Sequence, residues 1–113
     1  MHEFGIAQGL LDAVLTKAQE MNAMRITAIK LQIGVMSGIE IDALEFAFGA
    51  VAANTPAATS RLMIDIMPVR CYCERCKNIF ESTPAAYACP VCGEVSADLR
   101  SGRELKLISM EID

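Results

Sequence analysis

The chain has 113 residues, with ten Lys and Arg against fourteen Asp and Glu, a net charge of −4, 53% apolar residues and 21% charged ones. That length accommodates one compact domain with a small appendage, not two full-sized domains, and the composition is that of a globular chain rather than a disordered one. The acidic balance excludes a general binder of phosphate backbones, which needs clustered Lys and Arg.

The start, Met1-His2-Glu3, has no basic residue before Lys17 and so does not read as a secretory leader. The longest uncharged apolar stretch, residues 46–53, is far short of the ~20 residues a membrane crossing needs. No membrane span is expected, and the cytoplasm is the expected compartment. In that compartment paired cysteines are more often metal ligands than disulfides.

Apolar residues at Phe4, Ala7, Leu10, Leu11, Val14, Leu15, Ala18 and Met21 follow helical spacing, so residues 4–22 form an amphipathic helix. The period then changes. Ile29, Leu31, Ile33 and Val35 alternate with Lys30, Gln32 and Gly34, the pattern of a half-buried strand over 26–35. After Met36-Ser37-Gly38 a second helix runs from about Glu40 to Ala53, with Ile41, Leu44, Ala47, Phe48 and Val51 on its apolar side. Asn54-Thr55-Pro56 stops it.

A second strand covers about Ser60 to Val69, with Leu62, Ile64 and Ile66 inward, Asp65 outward and Pro68 near its end. Residues 104–113 form a final strand. Its apolar parity changes between Leu107 and Ile108, which predicts a bulge or burial on both faces. The expected fold is α+β: a small mixed three-stranded sheet covered by two helices, built from residues 1–69 and 103–113. Residues 70–102 hold all five cysteines, lack helical period and read as an inserted, zinc-ribbon-like module.

Within that insert, Cys73-Glu74-Arg75-Cys76 and Cys89-Pro90-Val91-Cys92 are two C-x-x-C pairs. Each such turn aims two thiolates inward, and two turns complete a tetrahedral metal set. The module has few apolar residues of its own, so a structural Zn(II) held by Cys73, Cys76, Cys89 and Cys92 would supply its folding energy. Iron in a rubredoxin-like site is the competing metal. A redox disulfide is disfavoured, because neither pair opens a helix after a strand. A filled four-thiolate site leaves no open position, so the zinc is expected to be structural and not catalytic. Cys71 is left over, as a spare ligand or as a solvent-facing or half-buried bystander. The stretch 70–103 carries one positive charge in excess, too little for a nucleic-acid footprint.

His2 is the sole histidine. A terminal histidine is usually just a solvated side chain. Methionine ahead of a bulky residue is expected to be retained, and then the Met1 amine, the His2 amide and the His2 imidazole can chelate one ion. The Glu3 backbone nitrogen completes a planar set, a geometry that suits Ni(II) or Cu(II) and not zinc. The Glu3 carboxylate could lie over such a site.

Met1-His2-Glu3 before an amphipathic helix, Ile33-Gly34-Val35-Met36-Ser37-Gly38 after the first strand, Phe46-Ala47-Phe48 in the second helix and the two C-x-x-C pairs together resemble the HypA/HybF family. The similarity runs the length of the chain. The resemblance implies a nickel metallochaperone for [NiFe]-hydrogenase maturation, with Ni(II) as cargo at His2 and structural zinc at the four cysteines. It implies work beside a nickel-handling maturation GTPase, HypB, delivery to the hydrogenase large subunit, and in some organisms service to urease maturation proteins. Gly5 departs from the family's frequent Ser at that place, which would be a natural helix cap. Glu40 is either an accessory ligand or a solvated carboxylate favoured by the helix dipole.

No acid–base pair, Ser-His-Asp set or Gly-rich phosphate loop is apparent, so an enzyme is not expected. The competing functions are a zinc-ribbon interaction module with His2 incidental, and a small redox protein with iron at the thiolates.

Overall fold

A computed structural model describes residues 2–82 and 87–113. The elements, in order, are α1 (Glu3–Glu20), β1 (Ile26–Gly34), α2 (Ile41–Ala52), β2 (Arg61–Met67), β3 (Val69–Cys73), β4 (Asn78–Ser82), β5 (Leu99–Ser101) and β6 (Leu105–Ile112). They form two small sheets, β2-β1-β6 and β4-β3-β5, and the chain is α+β as expected. It divides into two compact units: Met1–Leu31, Ile39–Asp65 and Lys106–Asp113 in one, and Gln32–Gly38 with Ile66–Leu105 in the other.

In the first unit the helical stripe does what its spacing demands. Ala7, Leu11, Val14 and Ala18 of α1 are buried, as are Leu44, Ala47, Phe48 and Ala52 of α2, and the two helices pack against each other. Ile26, Ala28, Ile29 and Leu31 of the central strand complete this core; each large side chain of this kind contributes roughly 1.5–3 kcal/mol by leaving water. The stop of α1 is a Schellman turn. Asn22 takes a left-handed φ of 54°, its N–H donates to the carbonyl of Gln19 and the N–H of Ala23 donates to that of Ala18.

The N–H of Asp113 donates to the carbonyl of Arg25, so the end of β6 meets the start of β1 and the two run antiparallel. Ser60, just ahead of β2, donates its hydroxyl to the carbonyl of Ile26 at the start of β1, which makes β1 and β2 parallel, with α2 as their crossover. The sheet is therefore mixed.

Several sequence expectations need correction. Pro68 divides what reads as one strand over 60–69 into β2 and β3, because it lacks the N–H a continuous ladder would use. Alternation puts Ile66 inward, yet it is 53% exposed; Val35 falls just beyond β1 and is exposed too. Leu107 and Ile108 are both exposed, so the changed parity of β6 does not mean burial on both faces. The physical reason is position: β2 and β6 are the two edges of a three-stranded sheet, and an edge strand has fewer neighbours to bury it.

In the second unit β3 is central, pairing antiparallel with β4 (Cys71 opposite Phe80) and with β5. Val69, Cys71 and Cys73 share one face of β3 and are buried together with Phe80 and Cys89. Gly34 lies against Gly102, so close that a Cβ on Gly34 would come within 2.1 Å of the Gly102 carbonyl group. Gly102 itself has φ +120°, a conformation open to glycine alone among common residues.

Candidate metal centre

The two C-x-x-C pairs fold into matching turns. Lys77 N–H donates to the carbonyl of Cys73, and Gly93 N–H donates to that of Cys89; both donors follow the second cysteine of their pair and both have positive φ, 57° and 76°. Glycine adopts that conformation freely, whereas Lys77 does so against its steric preference. Within each turn, backbone amides point at the first sulfur. Cys76 N–H donates to Cys73 Sγ, and the amides of Cys92 and Val91 donate to Cys89 Sγ.

These turns bring Cys73, Cys76, Cys89 and Cys92 together with all four sulfurs within 4.8 Å of one another. Cys73 and Cys92 sulfurs are 3.6 Å apart, and those of Cys76 and Cys89 are 3.9 Å apart. A tetrahedral zinc with Zn–S bonds of about 2.3 Å requires sulfurs about 3.8 Å apart. The donor set suits zinc, and the Cys73–Cys92 and Cys76–Cys89 sulfur pairs already stand at the tetrahedral spacing, so only a small inward adjustment of the set is needed to close on the ion.

Charge explains why such a set wants a cation. The Cys92 and Val91 amides stabilise the Cys89 thiolate and lower its pKa to about 7. Cys76 is pushed the other way, to about 12, foremost by its contact with Cys92 and further by desolvation and the other two sulfurs. For Cys92 the Glu94 amide and the contact with Cys76 act downward, but desolvation and the sulfurs of Cys73 and Cys89 outweigh them, and the thiol is raised. Four thiolates cannot share this space without a compensating positive charge; a dication supplies it.

Cys71 is not part of the quartet. It is fully buried in the face of β3 that also carries Val69 and Cys73, with its sulfur 3.9 Å from Ser82 Oγ. The expectation of a solvent-facing or half-buried bystander is therefore wrong. The signal was present in the period-2 spacing of Val69, Cys71 and Cys73, which puts all three on one face.

The other sequence-predicted ligands lie at the start of α1. The Met1 amine lies outside the described residues. His2 is exposed and occupies the N-cap place with φ −87° and ψ 86°; its side chain makes no capping bond and its carbonyl accepts the N–H of Ile6. Glu3 opens the helix, so the helix ladder makes no use of its N–H. Its carboxylate accepts the Glu40 N–H at 3.2 Å and also its own N–H, which together hold the carboxyl below the usual glutamate range. Glu40 thus meets Glu3 through its backbone amide. Among the described residues, the cysteine quartet is the one group of three or more His, Cys, Asp or Glu side chains placed to share a metal.

The chain matches, over residues 1–112, the family described as hydrogenase/urease nickel incorporation, metallochaperone, hypA. It is 38% identical over 112 residues to the hydrogenase maturation factor HypA of a Picosynechococcus strain, covering 99% of both chains. It is 38% identical over 113 residues to that of Chlorobaculum tepidum, covering each chain completely. In fold it is similar to the solution structure of the Ni metallochaperone HypA from Helicobacter pylori, with a TM-score of 0.67 and 23% identity over 99% of this chain and 97% of that one.

Proposed function

The chain belongs to the HypA family of nickel metallochaperones for hydrogenase maturation, and from that membership we propose how its own residues divide the work. Ni(II) is the cargo, taken at the amino terminus by the Met1 amine, the His2 amide and imidazole, and the Glu3 backbone nitrogen. Zinc is structural, held by Cys73, Cys76, Cys89 and Cys92 in the module of residues 70–102, while residues 1–69 and 103–113 form the nickel-binding domain. When bound, the zinc neutralises the thiolates and fixes the two turns.

The single observation that carries this reading is the family match along residues 1–112. Two features of the chain suit it. His2 is exposed and its side chain makes no cap to the helix, so the imidazole is free to turn toward the terminal amine. The Glu3 N–H lies outside the helix ladder, so its nitrogen can be metallated without breaking α1. A carrier must also release its ion, and ligands at a chain end allow that better than a buried cage does. Amide nitrogens bind only once deprotonated, so acidification favours release.

The protein acts as a carrier and not an enzyme, in the cytoplasm, beside the maturation GTPase HypB, and it delivers to the hydrogenase large subunit. Service to urease maturation proteins belongs to the same reading. No described helix is long and apolar enough to cross a membrane.

The test is a Ni(II) titration of untagged, zinc-loaded protein with its native start. The parent should bind about one equivalent in a planar nitrogen site. His2→Ala, and separately one residue added ahead of Met1, should each abolish that site. Unchanged binding by both variants would overturn it.

A further inference from the structure

The outer face of the α1–α2 pair carries an apolar surface that the fold itself does not use. Phe4 and Phe46 pack edge to face, with centroids 6.4 Å apart and an interplanar angle of 85°, yet they are 54% and 73% exposed. The edge-to-face contact is itself favourable, but it leaves a contiguous apolar surface of two rings in water, the kind of patch that marks an interaction site. Both helices also carry exposed glycines, of which Gly49, three residues after Phe46 on α2, is near the ring pair by helical spacing. Gly5 and Gly9 of α1 and Gly49 of α2 are exposed, and a Cβ on any of them would meet nothing within 4 Å. Glycine inside a helix costs stability relative to alanine, and here no close approach within the chain explains it.

The rim defines the occupant. Glu3 and Glu40 are joined beside Phe4, and Asp42 and Glu45 flank Phe46 on the exposed side of α2. No Lys or Arg occurs before Lys17 or between residues 31 and 60. A second copy of this chain would bring acid against acid, and an anionic lipid surface would be repelled in the same way.

We infer that the Phe4–Phe46 face is a docking surface for a protein partner that presents an apolar pocket rimmed by Lys and Arg. Phe46 is the anchor that enters the pocket. Asp42, Glu45 and Glu40 meet the basic rim, steering association and setting orientation, and Gly49 beside Phe46 leaves room for the partner to approach α2 closely. The inference stands on the face itself and not on the nickel site, although the two adjoin at Glu3.

The test places a photo-crosslinking phenylalanine analogue at position 46 of the full chain in its host cells, with the same analogue at exposed Met24 as control. The expected result is one major adduct whose mapped contact is an apolar patch flanked by Lys or Arg, and which is lost in the Asp42→Lys/Glu45→Lys background. Titrating that purified partner should then show at least about tenfold weaker binding for Phe46→Ser and for the charge reversal, the reversal's effect shrinking at high salt. Adducts no stronger than the Met24 control, adducts with a second copy of this chain, an acidic contact patch, or variants that bind within about twofold of the parent would each overturn the inference. Loss of Ni(II) binding in His2→Ala leaves this result untouched, so the two readings fail separately.

Discussion

The carboxylate of Glu3 accepts the backbone N–H of Glu40 at 3.2 Å, so the first turn of α1 is tied to the entry of α2. Both partners lie at helix N-termini, where unpaired amides and the helix dipole favour a negative charge. The bond depends on the carboxylate being ionised. The Glu40 amide, followed by the amide of Glu3 itself, lowers the Glu3 pKa. A lowered folded value means that the stabilisation is complete above the ordinary glutamate range and lost as pH falls through the lower folded value. The Glu40 amide proton shift should therefore titrate with a midpoint below that of a free glutamate, and Glu3→Gln should remove the transition. A midpoint at or above the free value would contradict the clamp.

The cysteine quartet predicts a separation between Cys71 and its neighbours. Structural zinc in such modules is worth about 10–16 kcal/mol of binding free energy, comparable with or larger than the whole stability of a small domain. Cys73→Ser should therefore lose zinc and with it the β4-β3-β5 sheet, seen as new protease sensitivity in that unit. Cys71→Ala removes a buried sulfur but no ligand. It should keep one zinc per chain by metal analysis and lose only about 1–2 kcal/mol in a urea titration. Zinc loss in Cys71→Ala would place Cys71 among the ligands.

Zinc binding should also release protons in a definite minimum. In the metal-free quartet Cys76 is raised to about 12 and Cys92 is raised as well, so both are protonated at neutral pH. Cys89, lowered to about 7 by the Cys92 and Val91 amides, is partly ionised there. Calorimetry in two buffers of different ionisation enthalpy should thus find at least about two protons released per zinc at pH 7. Because protons and zinc compete for the same sulfurs, acidification should favour zinc loss. Release of fewer than two protons would mean that the thiols are already ionised without metal.

The α1 and α2 helices were legible because a one-sided helix writes its buried face at i, i+3 and i+4, and Ala7, Leu11, Val14 and Ala18 obey that rule. The metal quartet was legible because C-x-x-C spacing alone positions two sulfurs per turn. What failed was burial at sheet edges. Alternation says which side chains share a face, and nothing in Leu107, Ile108 or Ile66 says whether another element will cover that face. The Glu3–Glu40 bond was invisible for a different reason. Its donor is a backbone amide, which every residue but proline carries, so no residue type signals it. The contact of Tyr87 with Met36, a hydroxyl 3.2 Å from a thioether 51 residues away, likewise leaves no local trace.

The glycines provide the sharpest prediction, because one substitution should have opposite signs at two places. At Gly34 an added Cβ would lie 2.1 Å from both the carbon and the oxygen of the Gly102 carbonyl, and 2.5 Å from the Arg103 nitrogen. Those are backbone atoms that cannot rotate aside, and Gly102 is itself fixed at φ +120° with Val69 only 3.0 Å from its own Cβ direction. Gly34→Ala must therefore force the backbone at 34 away from that at 102–103, at a cost of about 3 kcal/mol or more, the upper end of overpacking effects. At Gly49 the added methyl group meets nothing within 4 Å, in the interior of α2. There the change only removes freedom from the unfolded chain and should add roughly 0.5–1 kcal/mol of stability. Urea midpoints of the two variants, zinc-loaded and at one pH, should fall on opposite sides of the parent. A Gly34→Ala protein as stable as the parent would mean that the Gly34–Gly102 approach is not the geometry the chain adopts in solution.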